Sequence, residues 1–249
     1  KIKRKMKTLV IIPSRLSASR LPGKPLMKIN GISIISHVYK KALEADIGEV
    51  FVAAEDQEII EDVRKNSGEA ILTSNNHKTG TDRIYEALVK LGRTDVELVM
   101  NLQGDEPLMN TEDIKNLNSQ MVKNKSDLGT LAAKISDKKN FQNQDIVKVI
   151  TKESLDDSKF PQALNFLRKL DKENNKAYHH LGIYCFNVEI LKRFISFEQS
   201  HNEIKNRLEQ LRALDNNINI NVALAKSSPI GVDTKEDFMA IKKLMEYNS

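Results

Sequence analysis

Apolar positions along the chain follow two alternating rhythms. Thr8–Pro13, "TLVIIP", is a short continuous apolar run and predicts a fully buried strand. From Ile32, "ISIISHVYKKALEA" places Ile35, Val38, Tyr39 and Ala42 on one face at helical spacing. "EVFVAAE" from Glu49 predicts the next strand, and "DQEIIEDVRKNSG" a helix closed by Gly68. "EAILTS" predicts a short strand. "TGTDRIYEALVKLG" predicts a helix that opens on Thr/Asp caps and stops at Gly92. "VELVMNLQGDEP" predicts a strand running straight into a polar turn. Strands alternating with helices at this spacing imply a parallel sheet covered on both faces. The second half is more mixed. "DLGTLAAKI", "DIVKVITKE", "HLGIYCFN" and "INVALAKSS" predict strands, while "VEILKRFISF", "KNRLEQLRALDNN" and "TKEDFMAIKKLMEY" predict helices, the last with Thr234 as N-cap. No repeat and no linker divides the chain, so residues 8–249 read as one α/β domain behind a basic tail at 1–7.

Composition narrows the class. With 249 residues and 40% hydrophobic content, the chain can bury a sizeable core. No apolar run approaches the roughly 18 residues of a membrane span. The basic N-terminus lacks a long apolar stretch behind it, which argues against a secretory leader. The single cysteine, Cys185, excludes an internal disulfide, and a reducing cytoplasm is the expected compartment. The net charge of +5 suggests nucleic acid until it is located. Five of 39 basic residues lie in the first seven positions, and the remaining 34 balance 34 acids. The body is neutral, so no nucleic-acid partner and no membrane partner is expected.

Open parallel sheets bind ligands beyond the carboxyl ends of their strands, which points to four segments. After the first strand, "RLSASRLPGKP" carries Arg15, Arg20 and Lys24 with Gly23 and two prolines. It matches neither a P-loop nor a dinucleotide fingerprint. Fixed cations on a stiff backbone suit polyphosphate, and a solvated basic surface loop is the alternative. "NLQGDEP" ends a buried strand on Asp105 and Glu106. Carboxylates beside a polyphosphate site hold Mg²⁺, whereas Asp105 as an ordinary helix cap is the bland alternative. "GVDTKED" repeats that choice at Asp233, and the two aspartates together suit one shared metal. In "LEQLRAL", Leu208, Leu211 and Leu214 share a helical face, leaving Glu209 and Gln210 either to a polar ligand or to solvent.

These segments occur in a telling order: "IIPSRLSASRLPGKPL", "HVYKKA", "TGTDR", "NLQGDEP", "VKV", "HHLGIY", "LEQLR" and "GVDTKED". From about Thr8 to the C-terminus the chain resembles the 3-deoxy-manno-octulosonate cytidylyltransferase family. The resemblance implies a nucleotide-diphospho-sugar transferase-like fold, Rossmann-like, with a mixed, mainly parallel sheet and a small dimerisation subregion. It implies transfer of CMP from CTP to the anomeric hydroxyl of 3-deoxy-D-manno-octulosonate (Kdo), with release of pyrophosphate, for lipopolysaccharide. A related acid such as 8-amino-Kdo is the alternative substrate. It also implies Mg²⁺, a cytoplasmic location and a homodimer.

By the same resemblance, Arg15 and Lys24 bind the triphosphate and, with Asp105 and Asp233, form the catalytic set. Pro13, Ser74, Gly80, Arg83 and Gln103 are nucleotide positions, and Asp105 and Asp233 hold the metal. Gln103, Arg168, His180, Tyr184, Glu209 and Gln210 surround the sugar acid, with Arg168 on its carboxylate. The chain departs from the pattern at Ala54 and Glu55, where Thr and Asp are usual, at Leu167 in place of Ser, and at His179 in place of Arg. A lysine- and asparagine-rich loop follows Arg168. The sugar side carries most of these changes.

Overall fold

Leu9, Val10, Ile11 and Ile12 have no exposed surface, because the strand that holds them is paired on both edges. The computed structural model describes residues 7–17 and 20–248. Most of the expected basic tail, and Ala18 and Ser19 of the cationic loop, lie outside the described residues. In chain order the elements are β1 (Thr8–Ser14), a 3-10 turn at Lys24–Leu26, β2 (Lys28–Ile29), β3 (Ile32–Ser33), α1 (Ile34–Glu44), β4 (Gly48–Ala54), α2 (Gln57–Lys65), β5 (Ala70–Leu72), α3 (Gly80–Leu91) and β6 (Leu98–Asn101). There follow α4 (Thr111–Asn124), β7 (Leu128–Ala133), a 3-10 turn at Lys138–Phe141, β8 (Lys148–Thr151), β9 (Ala163–Leu167), β10 (Ala177–Asn187), α5 (Val188–Ser196), α6 (His201–Asn206), α7 (Leu211–Asp215), β11 (Ile220–Leu224) and α8 (Lys235–Tyr247).

These elements sort into two compact units. One comprises Lys7–Thr111 and the C-terminal stretch from Pro229. Apart from the short antiparallel pair β2-β3, its strands run in the order β6-β1-β4-β5, all parallel, with Val10 opposite both Val50 and Met100. Parallel neighbours need crossovers, and α1, α2 and α3 supply them. The chain moves outward from β1 through β4 to β5, then returns to lay β6 on the other side of β1. The strand order therefore reverses between β1 and β6, and the loops leaving those two strands open a crevice there.

The other unit, Glu112–Ser228, holds a mixed sheet in the order β11-β7-β10-β8-β9. Only β11 and β7 are parallel; the other pairs are antiparallel. The ladder between β10 and β7 slips between Leu181 and Tyr184. Thr130 fills the slip, its hydroxyl lying 3.1 Å from the Leu181 carbonyl and 2.7 Å from that of Ile183.

Most of the expected elements form, α4, β9 and the short β2-β3 pair appear beyond them, and one expected element does not hold. The helix expected over "KNRLEQLRALDNN" is broken: α6 ends at Asn206, Arg207 takes φ 53, and α7 begins only at Leu211. The Leu208 N–H turns back to the Glu203 carbonyl at 3.2 Å. The buried Glu203–Arg212 pair, with nitrogens 2.8 and 2.6 Å from the carboxylate, pulls the two short helices together. Glu209 and Gln210 thus sit in a turn, and Gln210 is buried and not on a solvated helix side.

Candidate active site

The crevice in the first unit is a cavity of about 440 Å³. Pro13, Arg15, Lys24, Gly80, Arg83, Gln103, Asp105 and Asp233 all line it, so eight of the expected residues meet there. Its construction starts at the end of β1. The Leu16 N–H donates to Asp56 at 2.7 Å, and the Gly23 N–H closes the cationic loop on the Leu16 carbonyl at 3.0 Å. Gly23 has φ 76, a conformation glycine adopts without strain. Lys24 then opens the 3-10 turn, with Pro25 fixing the backbone directly after it.

Lys24 ties three segments together. Its Nζ donates to Asp105 Oδ2 and to the Val232 carbonyl, each at 2.8 Å, and lies 3.6 Å from Asp233 Oδ1. The Val232 N–H donates to the Asp105 carbonyl at 2.8 Å, which stitches the two acidic turns side by side. Neither aspartate caps a helix by its carboxylate. Thr234 and Asp237 form a complete capping box on α8, and α4 begins six residues beyond Asp105. Both carboxylates are therefore available to a ligand. Glu106 lies beside them, with Oε2 buried and no hydrogen-bond partner for that atom among the described residues. Burial, then the charges of Asp105 and Asp233, push its carboxyl up to about 8.

The opposite wall is the N-terminal end of α3, where backbone N–H groups favour anions. Thr79 caps it, accepting from the Asp82 N–H. A Cβ on Gly80 would lie 3.1 Å from Pro13 Cγ, and one on Gly104 only 2.9 Å from the Pro13 carbonyl oxygen. Arg83 is buried in this wall. Its guanidinium donates to Thr73 Oγ1 at 2.6 Å, to the Ser74 carbonyl at 3.0 Å and to Glu55. The carboxylate of Glu55, a departure from the family pattern, thus anchors the expected nucleotide arginine. Ser74 does not line the cavity; its N–H donates to Glu86 at 2.9 Å. Burial works against the Glu86 charge, but bonds from Lys90, His77 and Ser74 hold its carboxyl down at about 2.

In the second unit, the β10 slip brings His180 and Tyr184 together. Four strand residues normally span about 13 Å, yet these ring centroids are 5.5 Å apart. His180 also meets Phe166 edge-on at 4.9 Å. Thr130 Oγ1 lies 2.9 Å from His180 Nε2 and near two carbonyls that compete for its hydroxyl proton. Nε2–H is then the donor to Thr130, which leaves Nδ1 as the acceptor of a neutral ring. Burial, then the charge of His179, pushes the imidazole down to about 3. Burial and then Glu209 push the Tyr184 hydroxyl well up. Arg168, expected on the sugar carboxylate, directs its guanidinium to main-chain carbonyls.

Comparison with known proteins decides the family. A family model described as cytidylyltransferase matches residues 9–220. A 3-deoxy-manno-octulosonate cytidylyltransferase of Afipia carboxidovorans is 40% identical over 240 residues, 96% of each chain. One from Thermodesulfovibrio yellowstonii is 41% identical over 257 residues, covering 96% of this chain and 98% of the relative. A solved structure of CMP:2-keto-3-deoxy-manno-octonic acid synthetase complexed with CTP superposes with a TM-score of 0.88 at 33% identity, over 98% of this chain and all of the other. The chain belongs to the 3-deoxy-manno-octulosonate cytidylyltransferase family. A cytidylyltransferase from Leptospira borgpetersenii, 16% identical with a TM-score of 0.65, shares its fold.

In this cytidylyltransferase several cavity residues escaped sequence reasoning. His77, Lys78 and Thr79 precede α3 and line the wall; the run "NHKTGT" before a helix was the available signal. Asp56 holds the cationic loop from 40 residues away, and no local pattern reveals that. The donor set fits a divalent cation. Two carboxylates with a buried, unpartnered third oxygen nearby are hard ligands. Among the described residues no group of three or more His, Cys, Asp or Glu side chains is arranged to hold a metal ion. An ion with few protein ligands completes its shell with water and substrate oxygens. No described helix is long and apolar enough to cross a membrane.

Proposed function

We infer that this chain transfers CMP from CTP to the anomeric hydroxyl of Kdo, giving CMP-Kdo and pyrophosphate. One observation carries the assignment to the cavity: Lys24, Asp105 and Asp233 converge at the reversal point of a parallel sheet, in a chain that aligns end to end with enzymes of that name. The sugar hydroxyl oxygen forms a bond to the α-phosphorus of CTP, the bond to the β-phosphate oxygen breaks, and the hydroxyl proton departs. Lys24 and Arg15 hold negative charge on the phosphates and on leaving pyrophosphate. The helix α3 N-terminus and Gly80 allow close approach of the nucleotide. Asp105 and Asp233 would hold Mg²⁺, which supplies charge neutralisation and lowers the pKa of a bound hydroxyl. The reaction needs no covalent enzyme intermediate, since the incoming hydroxyl is itself the nucleophile.

His180, Tyr184, Glu209 and Gln210 are the sugar-acid contacts in this reading, and Gln103 and Arg83 belong to the nucleotide wall. The protein works in the cytoplasm as a homodimer and supplies lipopolysaccharide assembly. The test is pyrophosphate release from CTP and Mg²⁺ with Kdo, 8-amino-Kdo or N-acetylneuraminate. Kdo is expected to support the fastest release; none with Kdo overturns the assignment, and faster release with 8-amino-Kdo moves it to that acid.

A further inference from the structure

Arg168 is committed to the main chain. Its Nε donates to the Asn206 carbonyl at 2.8 Å, Nη2 to that of Arg207 at 2.9 Å, and Nη1, more weakly, to that of Gln144 at 3.3 Å. Asn206 ends α6 and Arg207 is its C-cap, so the guanidinium satisfies carbonyls at the negative end of that helix. The carbonyl of Arg168 is itself held, accepting from Lys148 Nζ at 2.6 Å. Lys148 has no exposed surface and places its ammonium on the Asn143 and Ile146 carbonyls as well, at 2.7 and 2.6 Å. An ammonium has three donors, and all three are in use.

The target of this relay is a turn that needs holding. Arg207 sits at φ 53, uncommon for a residue with a side chain, and Glu209 and Gln210 follow at once. From inside, Arg212 grips Glu203 and lies 4.6 Å over the Phe194 ring. From outside, Arg168 bridges two consecutive carbonyls and so restricts the peptide between them. A binding group held in place beforehand loses less entropy when the ligand arrives.

We propose that Lys148 and Arg168 are positioning residues that staple the Asn206–Arg207 turn and so place Glu209 and Gln210, Arg168 acting on the sugar acid through that turn and not by pairing with its carboxylate. The part of the test that reads turnover rests on the Kdo activity inferred above; the part that reads backbone protection does not.

Amide hydrogen exchange of the free protein tests the staple directly. Hydrogen bonds to a charged group are strong enough that Arg168→Gln should speed exchange across residues 206–212 by roughly 10- to 100-fold. Unchanged exchange there overturns the staple. In steady state the same variant should raise KM for Kdo by about tenfold while KM for CTP stays within about twofold. Its preference for Kdo over the 1-carboxamide of Kdo should equal that of the wild type. A direct ion pair would instead erase that preference, and its collapse overturns the assignment. Lys148→Met should loosen the same segment, and the double variant should exchange no faster than the faster single variant; additive effects overturn the joint action. Arg168→Gln alters a partly exposed side chain, so its outcome stands whether or not Lys148→Met folds. Absence of pyrophosphate release by the wild type with Kdo would count against the activity alone, leaving the staple to be judged by exchange.

Discussion

Lys24 shows how one side chain organises a site. Its ammonium bridges two acidic turns and a carbonyl, and its removal takes away the cation that Asp105 and Asp233 share and one of the cations facing the incoming phosphates. Lys24→Gln should lower kcat/KM by at least about 100-fold, the cost typical of losing a preorganised charge-stabilising donor, as read by pyrophosphate release. His180 makes a separate prediction about stability. Its folded pKa, about 3, lies below the ordinary histidine value, so the unfolded chain binds the proton more readily. The stabilisation is complete above about pH 6.5 and is lost as pH falls toward the folded value, at up to ~1.4 kcal/mol per pH unit. Urea unfolding at pH 7.5 and pH 5 should show this slope, and His180→Gln should flatten it.

Elements, more than single residues, decide where such groups stand. The capping signals at Thr79, Gly92 and Thr234 are local, and the structure uses all three. The break between α6 and α7 is not local. Apolar spacing at Leu208, Leu211 and Leu214 is compatible with one helix, whereas the structure breaks it at Arg207, where Arg212 holds Glu203 across the break and Arg168 reaches the Asn206 and Arg207 carbonyls from nearly 40 residues away. The register of β1 against β4 and β6 sets the cavity in the same non-local way. A methyl group at Gly104 would press on the Pro13 carbonyl at 2.9 Å, forcing apart the two strand ends that define the crevice. Gly104→Ala should therefore raise KM for CTP several-fold while leaving most of the fold intact, measured by steady-state kinetics beside far-UV circular dichroism. Arg83, with its side chain 4% exposed against Glu55 at 13%, joins α3 to the end of β4. Arg83→Met leaves that partly buried carboxylate without its guanidinium partner, and should cost about 3 kcal/mol in urea unfolding.

At the scale of the whole molecule, the charge distribution matters most. The excess of basic residues resides in the first seven positions, and Lys7, the one among them that is described, is exposed and pairs its ammonium with the half-buried Asp95 at 2.8 Å. Such a pair contributes little. No composition break marks Thr111 or Pro229, where the two compact units divide, and so the chain reads as a single domain from its sequence. The inferred homodimer gives a mass of twice 28.2 kDa by sedimentation velocity; a species that stays at the single-chain mass across concentrations would contradict it.

The sequence by itself determined the alternation of strands and helices, the caps, and the order of eight short segments that place the chain in its family. These are properties of neighbouring residues, where apolar period, proline, glycine and hydroxyl side chains act over a few positions. Tertiary structure alone decided that Lys24, Asp105 and Asp233 touch, that Asp56 braces the cationic loop, and that the Arg168 guanidinium donates to main-chain carbonyls. Each depends on strand register and on contacts between residues tens to hundreds of positions apart. A guanidinium in an unpaired loop reads as a ligand for an anion; whether carbonyls already occupy it is a matter of geometry that no local pattern encodes.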